Sequence, residues 1–505
     1  MTAIATRSSV LAVTVESTEG TPVVPTLASQ FIAMQDDADF SSEFEQLENA
    51  ELKNSLGPAK TITGSENPAA SFSHYLRHSG VEGTAPNYRQ LLKTAFGSEE
   101  VESTEYNTVA ASTTSVIKVD VGEGATFSRG QALLIKDGTN GYSIRPVHSI
   151  ATDDLTIGFN LGTAPGTGVN LGKAVTYSPA NSGHQSLSLW HYVGNGGALE
   201  AVAGARVSEL NIDFEAGQLI NASYSLEGIG YYFNPINITA TDTKLDFTDD
   251  DGTFAATVTA KVYKDPHDLA TALTTAMNTA NPGETHTVTY SNTTGKFTIL
   301  CTGTVLSLLW NTGANTANTI GDKIGFLTAA DDTGTAATTG YTSDNAVSFA
   351  APVTPTYDSA DPLAAKDHSV LIGDSTDNVC FNPSSVSFSL SDTVRPIESI
   401  CAESGKSGTI INAREVTVTV TALLNQYDAD KFRRLRTNAD TRFMYAFGTK
   451  SGGNWVAGKC GCLYVPTCTV AAFDVSDDDG LASVELELKA YVDSSGNGEV
   501  YLSFV

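Results

Sequence analysis

The chain has 505 residues and a formal net charge of −28, and a surface that acidic repels phosphate, so a nucleic-acid-binding role is not expected. Apolar residues make up 41%, too many for a disordered chain, while charged residues are only 17%. Abundant Thr, Ser, Asn and Gly fit β-structure with many turns better than helical bundles, and the length allows roughly two to four domains.

The first residues have no basic start followed by an apolar core, and no run of about 18 apolar residues could span a bilayer, so a cytoplasmic protein without a membrane segment is expected. Six cysteines (Cys301, Cys380, Cys401, Cys460, Cys462, Cys468) are sparse for this length and read as free thiols rather than a disulfide scaffold.

Residues 8–16 read as a short strand, followed by an extended arm whose Gly20, Pro22 and Pro25 exclude a helix. Nine acidic side chains lie between residues 16 and 51 with no Lys or Arg among them, a solvated acidic surface. Segments 41–52 and 61–76 read as two strands around a loop, the first equally compatible with a short helix. Pro86 opens a segment in which Tyr88, Leu91, Leu92 and Phe96 recur at helical spacing, and Gly97 follows. A short amphipathic helix is predicted there.

From about residue 98 to 177 short β segments (115–121, 131–135, 155–157) alternate with glycine-rich turns, which reads as a small inserted β-domain. Residues 207–233 then alternate on two arms. Leu210, Ile212 and Phe214 face away from Glu209, Asn211 and Asp213, and after Ala216-Gly217-Gln218 the residues Ile220, Ala222, Tyr224 and Leu226 face away from Asn221, Ser223, Ser225 and Glu227. That is a two-faced β-hairpin.

A second region starts after Asn234-Pro235, with β segments near 255–263 and a helix at 266–280 that has Asp265 as N-cap, Pro266 at its first position and Leu269, Leu273 and Met277 on one face. The last part repeats the order hairpin, helix, hairpin. Val386, Phe388 and Leu390 alternate with serines, Val416, Val418 and Val420 with threonines, and residues 428–436 read as a capped helix. Val484, Leu486 and Leu488 then alternate with Glu485, Glu487 and Lys489 after the turn Asp477-Asp478-Asp479-Gly480. The repeated order suggests a duplicated module. The chain divides into 1–98 and 179–235 as a first module, 99–178 as its insertion, 236–370 as a linking α+β domain and 371–505 as a second module, a mainly β protein with α+β elements.

Catalytic and ligand motifs are incomplete. Gly405-Lys406-Ser407-Gly408-Thr409 resembles the end of a phosphate loop but has Ile400 where the first glycine belongs. Gly194-Asn195-Gly196-Gly197 lacks the βαβ context of a dinucleotide site. His74 and His78 lack the glutamate of a zinc protease and read as surface histidines. Cys460-Gly461-Cys462 with Cys468 lacks a fourth ligand and reads as thiols packed between strands. The acidic turns 249–252 and 477–480 miss calcium-loop spacing and read as hairpin turns. No catalytic, cofactor or metal site is expected. Arg433, Arg434, Arg436 and Arg442 form the one basic concentration, and the first three are expected to meet acidic groups of a neighbouring subunit.

Several stretches together resemble the tail tube proteins of long, non-contractile-tailed bacteriophages, related to the tubes of gene-transfer particles. They are the N-terminal segment 8–25, the helix segment 85–97, the hairpin 204–230 and the C-terminal strand pair 479–504. Residues 99–178 and 236–370 depart from the minimal pattern and resemble extra domains displayed outside the tube. The resemblance implies β-sandwich/hairpin tube modules that join across subunits into a β-barrel, rings that stack by self-association, and a lumen through which double-stranded DNA passes without specific binding. Tape measure, tail terminator and distal tail or baseplate proteins are the implied partners, and the virion, assembled in the host cytoplasm, is the implied location. Four strands from each of six modules give about 24, well past the roughly 16–18 that already leave an aqueous channel. Two modules per chain imply a homotrimeric, pseudo-sixfold ring, and one module per chain a hexamer. Glu209, Asp213, Glu227, Glu485 and Glu487 are expected to line the lumen. Competing classes are a fibre or adhesin of a virion surface and a β-rich hydrolase.

Overall fold

The computed structural model describes residues 4–51, 57–334, 338–377, 380, 382–424, 429–478, 480–492 and 498–505. The architecture is mainly β. A network of 17 strands, a six-stranded sheet between residues 106 and 171, and three small sheets between residues 236 and 342 account for the strands described.

Eight long strands of the network form one antiparallel arc. β1 (Asp39–Leu47) and β2 (Ile62–Tyr75) make a hairpin, α1 (Arg89–Phe96) follows, and β3 (Ala198–Glu215) pairs with β4 (Asn221–Glu227). β5 (Ser385–Glu398) and β6 (Lys406–Leu423) make a third hairpin, α2 (Ala429–Thr437) follows, and β7 (Asn454–Asp478) pairs with β8 (Leu481–Ala490). Across the arc the order is β1–β2–β4–β3–β5–β6–β8–β7. Asp428 and Asp479 lie outside the described residues, so the N-terminal cap of α2 and the tip of the β7–β8 turn are not described.

Alternation sets the two faces of the arc. Leu210, Ile212 and Phe214 of β3, Val386, Phe388 and Leu390 of β5, Val416, Val418 and Val420 of β6, and Val484, Leu486 and Leu488 of β8 are all buried. They belong to one core cluster, which Leu91, Leu92 and Phe96 of α1 join. Each fully buried Val, Leu or Phe stabilises by about 1.5–3 kcal/mol, and because the cluster is shared, a cavity in one half is felt by the other. Gly97, at φ 93°, ends α1 and its N–H bonds Lys93 O, the conformation for which glycine is favoured at a helix C-terminus.

β3 belongs to two layers. Its first half pairs with the strands Leu187–Val193 and Gly230–Phe233, and its second half with β4 and β5. The change of partners falls beside Gly204, whose φ is +66° and where a Cβ would collide with the Ile229 side chain. No other residue type fits there without displacement.

One expectation is corrected. His74 and His78 are 1% and 2% exposed rather than on the surface. His74 sits 4.4 Å from the Tyr88 ring and 5.5 Å from Tyr224, while His78 stacks on Phe447 at 5.8 Å and meets the edge of Phe504 at 5.4 Å. Burial lowers their pKa values to about 4 and about 3, so both rings are neutral and act as aromatic packing. The β segments near 255–263 are the strands Gly252–Thr257 and Lys261–Tyr263, which pair with different partners. The helix Pro266–Ala280 has the expected cap, with Asp265 accepting from the N–H groups of His267 and Asp268.

Candidate functional site

The face of the arc opposite the core is built from small hydroxyls and carboxylates in cross-strand rows. One row runs Ser71–Ser225–Glu209–Ser391–Glu415, the next Ser73–Ser223–Asn211–Ser389–Thr417–Lys489, and a third Asn221–Asp213–Ser387–Thr419–Glu487. Glu485 lies opposite Thr421, and Glu227 opposite Ala69. The five acidic residues singled out in the sequence are therefore on one face of one sheet, because every strand keeps the same alternation and each ladder is in register through this region.

Neighbouring side chains hold the rows in place. Ser387 Oγ donates to Asp213 Oδ1 (2.6 Å) and Asn211 Nδ2 to Glu209 Oε1 (3.0 Å). Lys489 Nζ stands 2.9 Å from Glu415 and 3.8 Å from Glu487, which raises the lysine pKa through its hydrogen bond to Glu415. Partial burial pushes the Glu227 carboxyl up, and the Lys406 charge opposes the shift. A sheet surface of this kind offers hydroxyl hydrogen bonds and negative charge to whatever lies over it.

The two ends of the arc are the second feature. Among the described residues β1 pairs only with β2, and residues 469–478 of β7 pair only with β8. Unpaired edges of long strands template pairing with another chain. On the core side these edges also leave apolar groups open. Phe44, on the same face as Phe40, is 48% exposed, and Val475, opposite Val484, is 56% exposed, whereas Val386 and Phe388 at the β3–β5 contact are 2% and 0% exposed.

That β3–β5 contact joins the two hairpin sets through seven residue pairs, from Glu209↔Ser391 to Glu215↔Ser385. In each set the strands lie in the order first, second, fourth, third, so the contact joins a third strand to a first. The open edges are again a first strand, β1, and a third strand, β7. A β7 edge and the β1 edge of another copy are thus the same two kinds of edge that meet inside one chain. Sequence reading missed these edges, although Phe44 at even spacing from Phe40 was the available signal.

The basic cluster is divided. Arg433 and Arg436 are exposed, while Arg434 is 7% exposed, with its guanidinium 3.6 Å from Asp374 and 3.7 Å from Asp377 of the same chain. A cation removed that far from water needs paired charge close by. Arg442 donates to Gly158 O at 2.8 Å. Cys460, Cys462 and Cys468 are buried in β7 as free thiols, with pKa values raised by burial.

No protein-family model and no curated protein matches the chain. Among solved structures, one chain of the virion of a native gene transfer agent (GTA) particle matches 25% of this chain and 92% of its own length, at 12% sequence identity and a TM-score of 0.19.

Proposed function

We propose that this chain is a structural virion subunit that closes into rings by repeating its internal β3–β5 junction between copies, and that stacked rings form the tail tube of a long-tailed bacteriophage. The observation that carries this reading is the pair of open edges, a first strand and a third strand, at the two ends of an arc already held together by the same kind of contact. Three arcs of eight strands give about 24 strands, enough for a wide aqueous lumen, and closure removes both edges.

The polar face then lines the lumen. Its carboxylates supply no cation to displace phosphate counterions, and at physiological salt their field reaches about 8 Å into the channel. DNA would pass such a wall without sticking. The reading assigns the protein no catalytic step, and it keeps tape measure, terminator and distal tail proteins as axial partners.

Electron microscopy of the purified chain tests the reading, with threefold rings or hollow tubes as the expected particles. Cysteines scanned along residues 40–46 and 471–477, in a Cys401→Ser background, should give intermolecular disulfides only in those particles. Monodisperse monomers at high concentration would overturn it in favour of a fibre or adhesin subunit.

A further inference from the structure

Away from the arc, the region of small sheets holds a cluster that the tube reading does not use. His286 and Cys301 are paired residues on the adjacent strands His286–Ser291 and Lys296–Cys301, and both side chains have 0% exposure. Glu284 lies two residues before His286, in the bend that leads into the strand. One ligand atom from each of the three lies within 4.8 Å of the others. Asp249, at the end of the strand Lys244–Asp249, adds a carboxylate whose Oδ2 stands 3.2 Å from His286 Nε2.

The hydrogen bonding in this cluster is incomplete. Neither ring nitrogen of the fully buried His286 has a hydrogen-bond partner, and Glu284 Oε2 has none either. The 3.2 Å approach of Asp249 to Nε2 is a short contact without the alignment of a hydrogen bond. Native proteins rarely leave a buried imidazole unsatisfied at both nitrogens. A cation bound by the imidazole and the carboxylates would satisfy them. The edge-on Phe247 ring, 4.8 Å from the imidazole, packs against it.

We propose that Glu284, His286 and Cys301, with Asp249 completing the shell, form a structural Zn²⁺ site that fastens the strand Lys244–Asp249 to the hairpin of residues 286–301. An imidazole, a thiolate and carboxylates are the N, S and O donors zinc takes, and four protein ligands with no open position are the mark of a structural rather than a catalytic site. Tetrahedral zinc with its usual bond lengths has ligand–ligand separations of about 3.2–3.8 Å. The His286–Asp249 spacing falls in that range, and the ligand atoms of Glu284, His286 and Cys301 stand within 4.8 Å of one another.

The surroundings agree. Asp249 Oδ2 accepts from Asn281 Nδ2 at 2.7 Å and its Oδ1 from the Asp251 N–H at 3.0 Å, the outer hydrogen bonds that orient a ligating carboxylate.

The test uses the full-length purified chain, and its readouts do not depend on ring assembly. Elemental analysis after zinc addition and gel filtration should find about one zinc per chain. Exchange with Co²⁺ should give a near-ultraviolet thiolate-to-cobalt charge-transfer band that is lost in Cys301→Ser and kept in Cys401→Ser. Thermal melting should fall on chelation and recover with zinc. Absence of bound zinc in the parent chain overturns the site, as does a cobalt band that survives in Cys301→Ser. If Cys301→Ser fails to fold, His286→Gln with intact Cys301 decides it, since unchanged metal content in that variant overturns the assignment.

Discussion

Replacing Phe44 by aspartate tests the edge-to-edge junction with little effect on the fold of the single chain. Phe44 is 48% exposed, and a phenylalanine can bury about 200 Å², so about 100 Å² of apolar surface awaits cover at the β1 edge. At about 25 cal/mol per Å² its burial contributes about 2.5 kcal/mol to the contact, a factor of about 70 in the association constant. Phe44→Asp forfeits that contribution and adds a carboxylate to be desolvated. Sedimentation and electron microscopy across a concentration series should show the threshold for rings rising by about that factor, with an unchanged melting temperature. Val475→Asp, at the opposite edge, should act the same way. A mixture of the two variants retains one intact edge on each chain, so it should stop at heterodimers. Assembly of Phe44→Asp at the parental concentration, with the fold intact, would refute the reasoning.

Lysine at Glu209, Asp213, Glu485 and Glu487 together should leave tubes able to form while DNA ejection from tails slows; ejection at the parental rate refutes the lumen assignment. Phe388→Ala empties a fully buried site between β3 and β6 and should cost about 3–5 kcal/mol in urea unfolding, with a loss below about 1 kcal/mol contradicting the shared core. Burial holds the His78 pKa at about 3, against about 6.5 when unfolded. The unfolded chain therefore binds the extra proton between those values, and this contribution is complete above about pH 6.5 and lost as pH falls, by about 1.4 kcal/mol per pH unit. His78→Phe should remove that part of the slope between pH 6 and 4 in urea midpoints, and an unaltered slope counts against the burial.

What the sequence made legible was local. Alternation over residues 207–227, 386–390, 416–420 and 484–488 identified strands and their two faces, since period-2 patterning reflects the pleat itself. Asp265 and Pro266 marked the start of a helix for an equally local reason. What depended on distant partners was hidden. His74 and His78 differ from surface histidines only through Tyr88, Tyr224, Phe447 and Phe504, which the chain brings to them from elsewhere. The open edges appear only once the order of the arc is known. The cluster at Asp249, Glu284, His286 and Cys301 has no motif, because its ligands come from three strand ends and Asp249 was read as part of a turn.

The double membership of β3 has a mechanical consequence. A single 18-residue strand runs from the layer beneath into the arc, so a load on the arc travels along covalent backbone rather than across side-chain contacts. Its cross-strand hydrogen bonds lie perpendicular to the strand, so a lengthwise pull stresses them together in shear instead of peeling them one by one. β3 is thereby anchored along its own axis against a lengthwise load.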